Sequence, residues 1–269
     1  MSDTSGSLIR HAARAACLVC VLAARAGAQS PAPAPPGPDF LPRTEFHLSA
    51  NALMLPTADQ QFSWDAYFGG DVDVFDYVFG RTSVLADYHA VLGDEYRPFD
   101  PNQAYYALEV SSSYRVRETE VAFVFHHVSR HISDRPKQFA IAWNVAGARV
   151  LRRVAAKGFT LDIRADAGAI VQHSYVDYKW TANTDLMFRH PFNSRVGVFV
   201  HLSGEVFGVD GSVPDRDTQT GGLAEAGLRI NGRAGALELF AGGERRLDAD
   251  PFDRQTRRWG VAGFRLLSR

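Results

Sequence analysis

Hydrophobic and polar residues alternate along most of the chain. From Arg43 onward the dominant period is two residues, and the period of 3.6 typical of helices is almost absent. Because successive side chains of a strand point to opposite faces, each such segment has one apolar and one polar face. In the segment 159–174 the apolar positions are Phe159, Leu161, Ile163, Ala165, Ala167, Ala169 and Val171.

The alternating segments predict twelve strands, most of them longer than the strands of soluble proteins. A tilted strand of about 9–11 residues is long enough to cross a membrane. The predicted bounds are 44–55, 62–74, 80–92, 103–117, 119–130, 137–152, 157–174, 180–190, 195–207, 219–231, 234–247 and 255–268.

The connections between these strands alternate in length. Tight turns such as 231–235 are followed by longer, polar loops such as 207–218 and 247–256. This alternation is typical of outer-membrane barrels, whose turns face the periplasm and whose loops face the outside. We therefore predict an all-β fold, an antiparallel up-and-down transmembrane β-barrel of about twelve strands. A soluble β-sandwich or lipocalin-like barrel, the alternative, does not predict the alternation.

The beginning of the sequence predicts export. Residues 1–28 have the pattern of a secretory signal peptide, with a short apolar core that ends in Ala26-Gly27-Ala28. Residues 29–42 read as a Pro/Ala-rich linker, and residues 43–269 as the outer-membrane β-barrel. The predicted location is the bacterial outer membrane.

Composition narrows the expected partners. The formal net charge is −1, which gives no indication of a nucleic-acid partner. Both cysteines, Cys17 and Cys20, fall inside the predicted signal, so no disulfide framework is expected after export. The expected partners are outer-membrane lipid and lipopolysaccharide, and the barrel-assembly machinery during biogenesis. We predict no cofactor and no metal.

Charged residues of both signs occupy the polar faces of the predicted strands. Mixed signs can pair inside a barrel, whereas a selective pore tends to carry one sign, so the pattern favours a filled lumen. The residues predicted to line the lumen are Glu109, Glu120, Asp162, Arg164, Asp166, Glu205, Glu225, Arg229, Glu238, Glu244 and Arg246.

The aromatic residues of the predicted barrel suit girdles at the two membrane interfaces, where a ring is half apolar and half wet. The residues assigned to these girdles are Tyr88, Tyr105, Tyr106, Trp143, Tyr175, Tyr178, Trp180 and Trp259.

The segment VAFVFHHVSRHISD, residues 121–134, carries the candidate chemistry. His127 and Ser129 share the parity of the apolar Phe125 and are therefore predicted to face lipid near the outer leaflet. Such a pair could serve an esterase, because an imidazole can remove the proton of a serine hydroxyl that attacks an acyl carbonyl. His126 has the opposite parity, so it cannot converge with His127 on a metal ion from a regular strand.

His127-Val128-Ser129 resembles the lipid A deacylases of the outer membrane, small barrels with a His-x-Ser pair that faces lipid. The resemblance implies Ser129 as nucleophile and His127 as base. Those enzymes follow the serine with asparagine and carry a glutamate on the next strand. Here Arg130 follows the serine, and the next predicted strand, 137–152, carries no acid.

A longer pattern, His127-x-Ser129-x-His131-x-x-Asp134, resembles a family of uncharacterised bacterial outer-membrane proteins, as does the hairpin Gly242-Gly243-Glu244 with Asp250-Pro251. This resemblance implies fold and location.

Because no acid on the neighbouring strand orients the histidine, the sequence favours an outer-membrane protein of unassigned activity. Its role would be structural or ligand-interacting at the cell surface, with His131 and Asp134 as binding residues. Two alternatives stay open: a lipid A deacylase-like esterase that uses the lipid-facing His127 and Ser129, and a small diffusion channel.

Overall fold

The chain folds into a closed barrel of antiparallel strands. A computed structural model describes residues 31–54, 59–133 and 139–268, so the predicted signal 1–28 and Asp134 lie outside the described residues. Each strand pairs with its neighbours in sequence, and the first pairs with the last. The strands are β1 Asp39–Met54, β2 Trp64–Asp76, β3 Arg81–Gly93, β4 Asp100–Val116, β5 Thr119–Ile132, β6 Ile141–Ala156, β7 Phe159–Ser174, β8 Tyr178–Pro191, β9 Val196–Val209, β10 Gln219–Asn231, β11 Gly235–Arg246 and β12 Arg257–Ser268.

This architecture confirms the predicted fold class and the number of strands. The largest difference at a strand end is in β1, which begins at Asp39 rather than near residue 44. Within the described ranges, no helix is long and apolar enough to cross a membrane.

Tight turns close one end of the barrel, the end at which β1 begins and β12 ends. The turn between β6 and β7 consists of Lys157 and Gly158, which have φ angles of 41° and 85°. Positive φ at both central residues matches a two-residue hairpin whose twist follows that of its strands. The opposite end carries the longer loops, including 210–218 and 247–256, and is therefore the extracellular end.

The outer wall of the barrel is apolar. Large hydrophobic side chains such as Leu108 and Phe123 are 55% and 62% exposed, which is unusual for a water-soluble surface but suits contact with lipid chains. On β7, Asp162 is buried inside, as its parity predicts. The two faces of the strands therefore meet two different solvents.

Ion pairs join the strands across the lumen, and they leave two cavities of about 300 and 510 Å³ between them. Arg149, buried inside, donates from Nη1 to Glu109 at 2.5 Å and from Nε to Asp166 at 2.5 Å. Arg81 bridges Asp73 and Glu120 in the same way, at 2.8 Å each. A buried charge is tolerated when it is paired and hydrogen-bonded. The predicted charges of both signs therefore pair with one another inside the barrel.

Loop 247–256 closes the extracellular mouth. Arg130, on the inner face of β5, donates to the backbone carbonyls of Asp248 at 2.8 Å and of Ala249 at 3.1 Å. Arg216 holds the same loop through Asp248. Burial lowers the pKa of Arg216, but bonds to Asp248 and to the neighbouring Asp177 outweigh burial, so its pKa lies above the ordinary value.

Part of the predicted aromatic girdle is wrong. Trp143 and Tyr178 are buried inside the barrel, where they pack against each other and against Leu247 of the closing loop. Trp259 likewise packs inside, against Phe62. The reason is parity, because these rings lie on the inner faces and fill the space below the closed mouth. The rings that do line the outer wall include Tyr88, Tyr106 and Trp180.

We expect a charge on the outer wall to oppose insertion into lipid. Val110, 51% exposed on β4, lies well inside the strand, so Val110→Arg should destabilise the protein folded in phospholipid bilayers, with a loss of about 2–4 kcal/mol in its free energy of unfolding. Tyr96→Arg, at a position 80% exposed in the β3–β4 loop, is the control and should change little. Denaturant titration in vesicles measures both, and equal losses would contradict a lipid-facing wall at Val110.

Removal of Arg130 should open the mouth. In planar bilayers we expect the wild-type protein to conduct little, because Arg130 holds loop 247–256 across the extracellular mouth. Arg130→Ala should increase the frequency of open events, whereas Arg97→Ala, at an exposed ion pair outside the barrel, should not. Steady conductance of the wild type would favour the diffusion channel instead.

Candidate functional site

Strand β5 brings three polar residues to one outward face near its extracellular end. His127, Ser129 and His131 alternate with inward residues and follow the lipid-facing Phe125. The inward neighbour His126 approaches Glu109 in the lumen, with 3.4 Å between Nδ1 and Oε2. The predicted parity of this segment is therefore correct.

His127 is oriented by a residue of the next strand. Its Nδ1 lies 2.6 Å from Oδ1 of Asn144, directly opposite in the β5–β6 pairing. The carbonyl oxygen of an amide accepts hydrogen bonds, so in this arrangement Nδ1 of His127 carries the proton. The second ring nitrogen, Nε2, then keeps a lone pair and can act as a base.

Gln172 on β7 extends this arrangement to a third strand. Asn144 donates from Nδ2 to Oε1 of Gln172 at 2.9 Å. This bond fixes the amide of Asn144 with its oxygen towards His127. The three side chains therefore form a directed chain along the outer wall, from β7 through β6 to β5.

A β-bulge makes this contact possible. Asn144 pairs with Gln172 while Val145 pairs with Ile170, so Val171 is an extra residue in β7. Ile170 faces the lumen and packs near Trp143, and without the bulge Gln172 would follow it inward. Bulges often redirect a side chain next to an active site.

Ser129 lies between two histidines of its own strand. Its Oγ is 3.1 Å from Nε2 of His131, whose ring meets the ring of Tyr106 edge-on at 5.1 Å. His127 lies on the same face, two residues away, or about 6.6 Å along the strand. A change of side-chain rotamer can therefore direct the hydroxyl towards either imidazole.

Comparisons with known proteins support the fold. No protein-family model matches the sequence, and no curated protein sequence does. Solved structures of outer-membrane proteins are similar in fold. An active-site mutant of outer membrane phospholipase A from Escherichia coli has a TM-score of 0.50 and 9% identity, over 86% of this chain and 91% of that chain. LpxR from Salmonella typhimurium has a TM-score of 0.49 and 8% identity, over 83% of this chain and 99% of that chain.

The chain is an outer-membrane β-barrel. The closed sheet of twelve strands, the apolar outer wall and the polar lumen agree with the fold of the phospholipase structure. The comparisons identify no activity, so the chemistry rests on the residues themselves.

The sequence argument sought an acid beside His127 and missed the amide that takes this position. Asn144 was visible as a polar residue on a face of β6 made otherwise of small apolar residues, with Ala142 and Ala146 on either side. Gln172 could not be found from periodicity, because the bulge at Val171 reverses its face. The roles of His131 and Asp134 as binding residues stay predictions.

We expect Gln172 to control the tautomer of His127. Gln172→Leu removes the acceptor that holds the Asn144 amide, so the ring of His127 should lose its preference for a proton on Nδ1. Nitrogen chemical shifts of selectively labelled protein in micelles measure the two tautomers. Gln219→Leu, away from this chain of bonds, is the control. An unchanged tautomer in Gln172→Leu would contradict the role of Gln172.

Proposed function

We propose that the protein is a serine esterase that hydrolyses an acyl ester of outer-membrane lipid. Ser129 is the nucleophile, His127 the general base, and Asn144 the group that orients the base. The observation that carries this proposal is the 2.6 Å contact between Nδ1 of His127 and Oδ1 of Asn144, on the lipid-facing wall two residues from the serine.

An amide suits the orienting role on this wall. A carboxylate beside lipid would have to lose much of its hydration, which is costly unless it is fully paired. Asn144 is neutral, and papain-like proteases show that an asparagine can orient a catalytic histidine. The absence of an acid on β6 is therefore compatible with catalysis, unlike the expectation from sequence.

The residues support a two-step hydrolysis. The hydroxyl of Ser129 attacks the ester carbonyl carbon while Nε2 of His127 takes its proton, and the leaving alcohol receives that proton when the C–O bond breaks. A water molecule, activated by the same imidazole, then releases the fatty acid from Ser129. At rest Ser129 bonds to His131, so it has to turn towards His127 when substrate binds. Catalytic hydrogen bonds commonly tighten only in the complex with substrate.

The position of the site supports a lipid as substrate. Exposed apolar residues such as Leu108 and Phe125 surround His127 on the outer wall, where acyl chains would lie against them. The extracellular end of β5 corresponds to the outer leaflet. This agrees with the resemblance to lipid A deacylases. The phospholipase of similar fold offers a second precedent, since its active-site mutant replaces an asparagine with alanine.

Substitutions in the proposed triad should separate activity from folding. Ser129→Ala and His127→Asn should each reduce acyl release by about 10⁴-fold or more, because nucleophile and base act as a unit. Asn144→Ala should cost about 10²-fold, the effect of a misplaced catalytic group. All three variants should keep heat-modifiable gel migration, which reports a folded barrel. His126→Asn, on the lumen side, is the matched control and should stay active.

Two substrates are compared. Phosphatidylcholine in mixed micelles is incubated with purified protein, and lipid A is extracted from expressing cells and analysed by mass spectrometry. Loss of one acyl chain from either, in wild type but not in Ser129→Ala, supports the proposal and identifies the lipid. Wild type that releases fatty acid from neither would leave the site with a structural role. Activity that survives in Ser129→Ala would place the nucleophile elsewhere.

A further inference from the structure

We propose that His131 stabilises the oxyanion formed during this hydrolysis by donating a hydrogen bond to it from Nε2–H. The inference rests on the proposed esterase function and adds a second catalytic histidine to it. It starts from two observations: Ser129 lies within a regular strand, and its Oγ lies 3.1 Å from Nε2 of His131.

The backbone around Ser129 is already committed to the sheet. Ser129 pairs with Tyr106 on β4 and with Ala142 on β6, and its neighbours Val128 and Arg130 are paired on both sides as well. Backbone N–H groups in such ladders point within the sheet and bond to the adjacent strands. Hydrolases that place their serine on a sharp turn use free backbone N–H groups for the oxyanion. That arrangement is closed to Ser129, which is paired on both sides in the barrel wall, so a side chain has to supply the donor.

Few side chains near Ser129 could donate a hydrogen bond to the oxyanion. The residue after the serine, Arg130, faces the lumen and binds loop 247–256. The amide N–H of Asn144 is directed to Gln172. His131 fits best because its Nε2 contacts the serine oxygen, whereas the outward Tyr106, which pairs with Ser129, packs edge-on against the ring of His131.

The geometry places this donor where negative charge develops. The Oγ–C bond forms as Ser129 attacks, and the electron pair of the carbonyl moves to its oxygen, which is attached to the same carbon. A donor in contact with Oγ is therefore within reach of that oxygen. His127 takes the serine proton, and His131 keeps its own proton throughout. The charge disappears when the carbonyl forms again and the protonated alcohol leaves.

The rival role for His131 is that of the general base, since it contacts Ser129 directly. Two substitutions distinguish the roles. His131→Gln retains an N–H donor but cannot act as a base at neutral pH, and His131→Phe retains only the aromatic contact with Tyr106. His127→Gln provides the comparison at the proposed base.

The test uses the full-length protein in detergent micelles, with p-nitrophenyl decanoate as the probe and gel migration as the control for folding. His131→Phe should reduce kcat by about 10²–10³-fold with little change in KM, and His131→Gln should recover activity to within about tenfold of wild type. His127→Gln should be inactive.

Each other outcome decides against the inference. Wild-type kcat in His131→Phe would show that His131 supplies no oxyanion donor. Equal inactivity of His131→Gln and His131→Phe would contradict the inference whatever the activity of His127→Gln, and an active His127→Gln would in addition make His131 the base. Wild type without hydrolysis of this ester or of the lipids tested above would overturn the proposed function itself, and the inference with it.

Discussion

The alternation of side chains in a closed sheet is the constraint on which the rest of this structure depends. Each strand sends successive residues to lipid and to the lumen, and closure leaves no free edge on which backbone groups could meet lipid. The charged residues can therefore pair across the inside, as Arg149 does with Glu109 and Asp166, while the outside stays apolar. A polar side chain on the outer face of β5 is an exception to this division, and three of them follow one another there.

The same constraint determines what kind of site a barrel wall can carry. The backbone N–H and C=O groups are hydrogen-bonded between the strands, so the polar groups of a site have to come from side chains of neighbouring strands. His127, Asn144 and Gln172 meet this condition across β5, β6 and β7, in one chain of hydrogen bonds. A neutral amide in the middle of the chain avoids a carboxylate next to lipid. On the inner side of the same strand, Arg130 binds loop 247–256. The outer face of β5 therefore carries the candidate site, and its inner face holds the loop that closes the mouth.

Much of the fold could be predicted because alternation is a local property of the sequence. The predicted strand 219–231 coincides with β10, and the lumen face of β5 was assigned correctly. The aromatic girdle was partly wrong because Trp143 and Tyr178 were assigned to it by residue type without regard to parity. The site was found only in part. His127 and Ser129 follow from a short motif, whereas Gln172 lies on the outer face because of a β-bulge that the sequence pattern does not indicate. Asn144 was missed because a carboxylate was sought in its place.

The central claim is that the His127–Asn144 pair activates Ser129 on the lipid-facing wall. Reaction with an alkyl fluorophosphonate, which modifies activated serines covalently, tests it most directly when the modified peptide is identified by mass spectrometry. The account predicts one adduct on Ser129 in the folded wild-type protein, and much slower formation of that adduct in Asn144→Ala. Absence of the adduct from the folded protein, or an adduct on Ser129 that forms equally fast in Asn144→Ala, would contradict it.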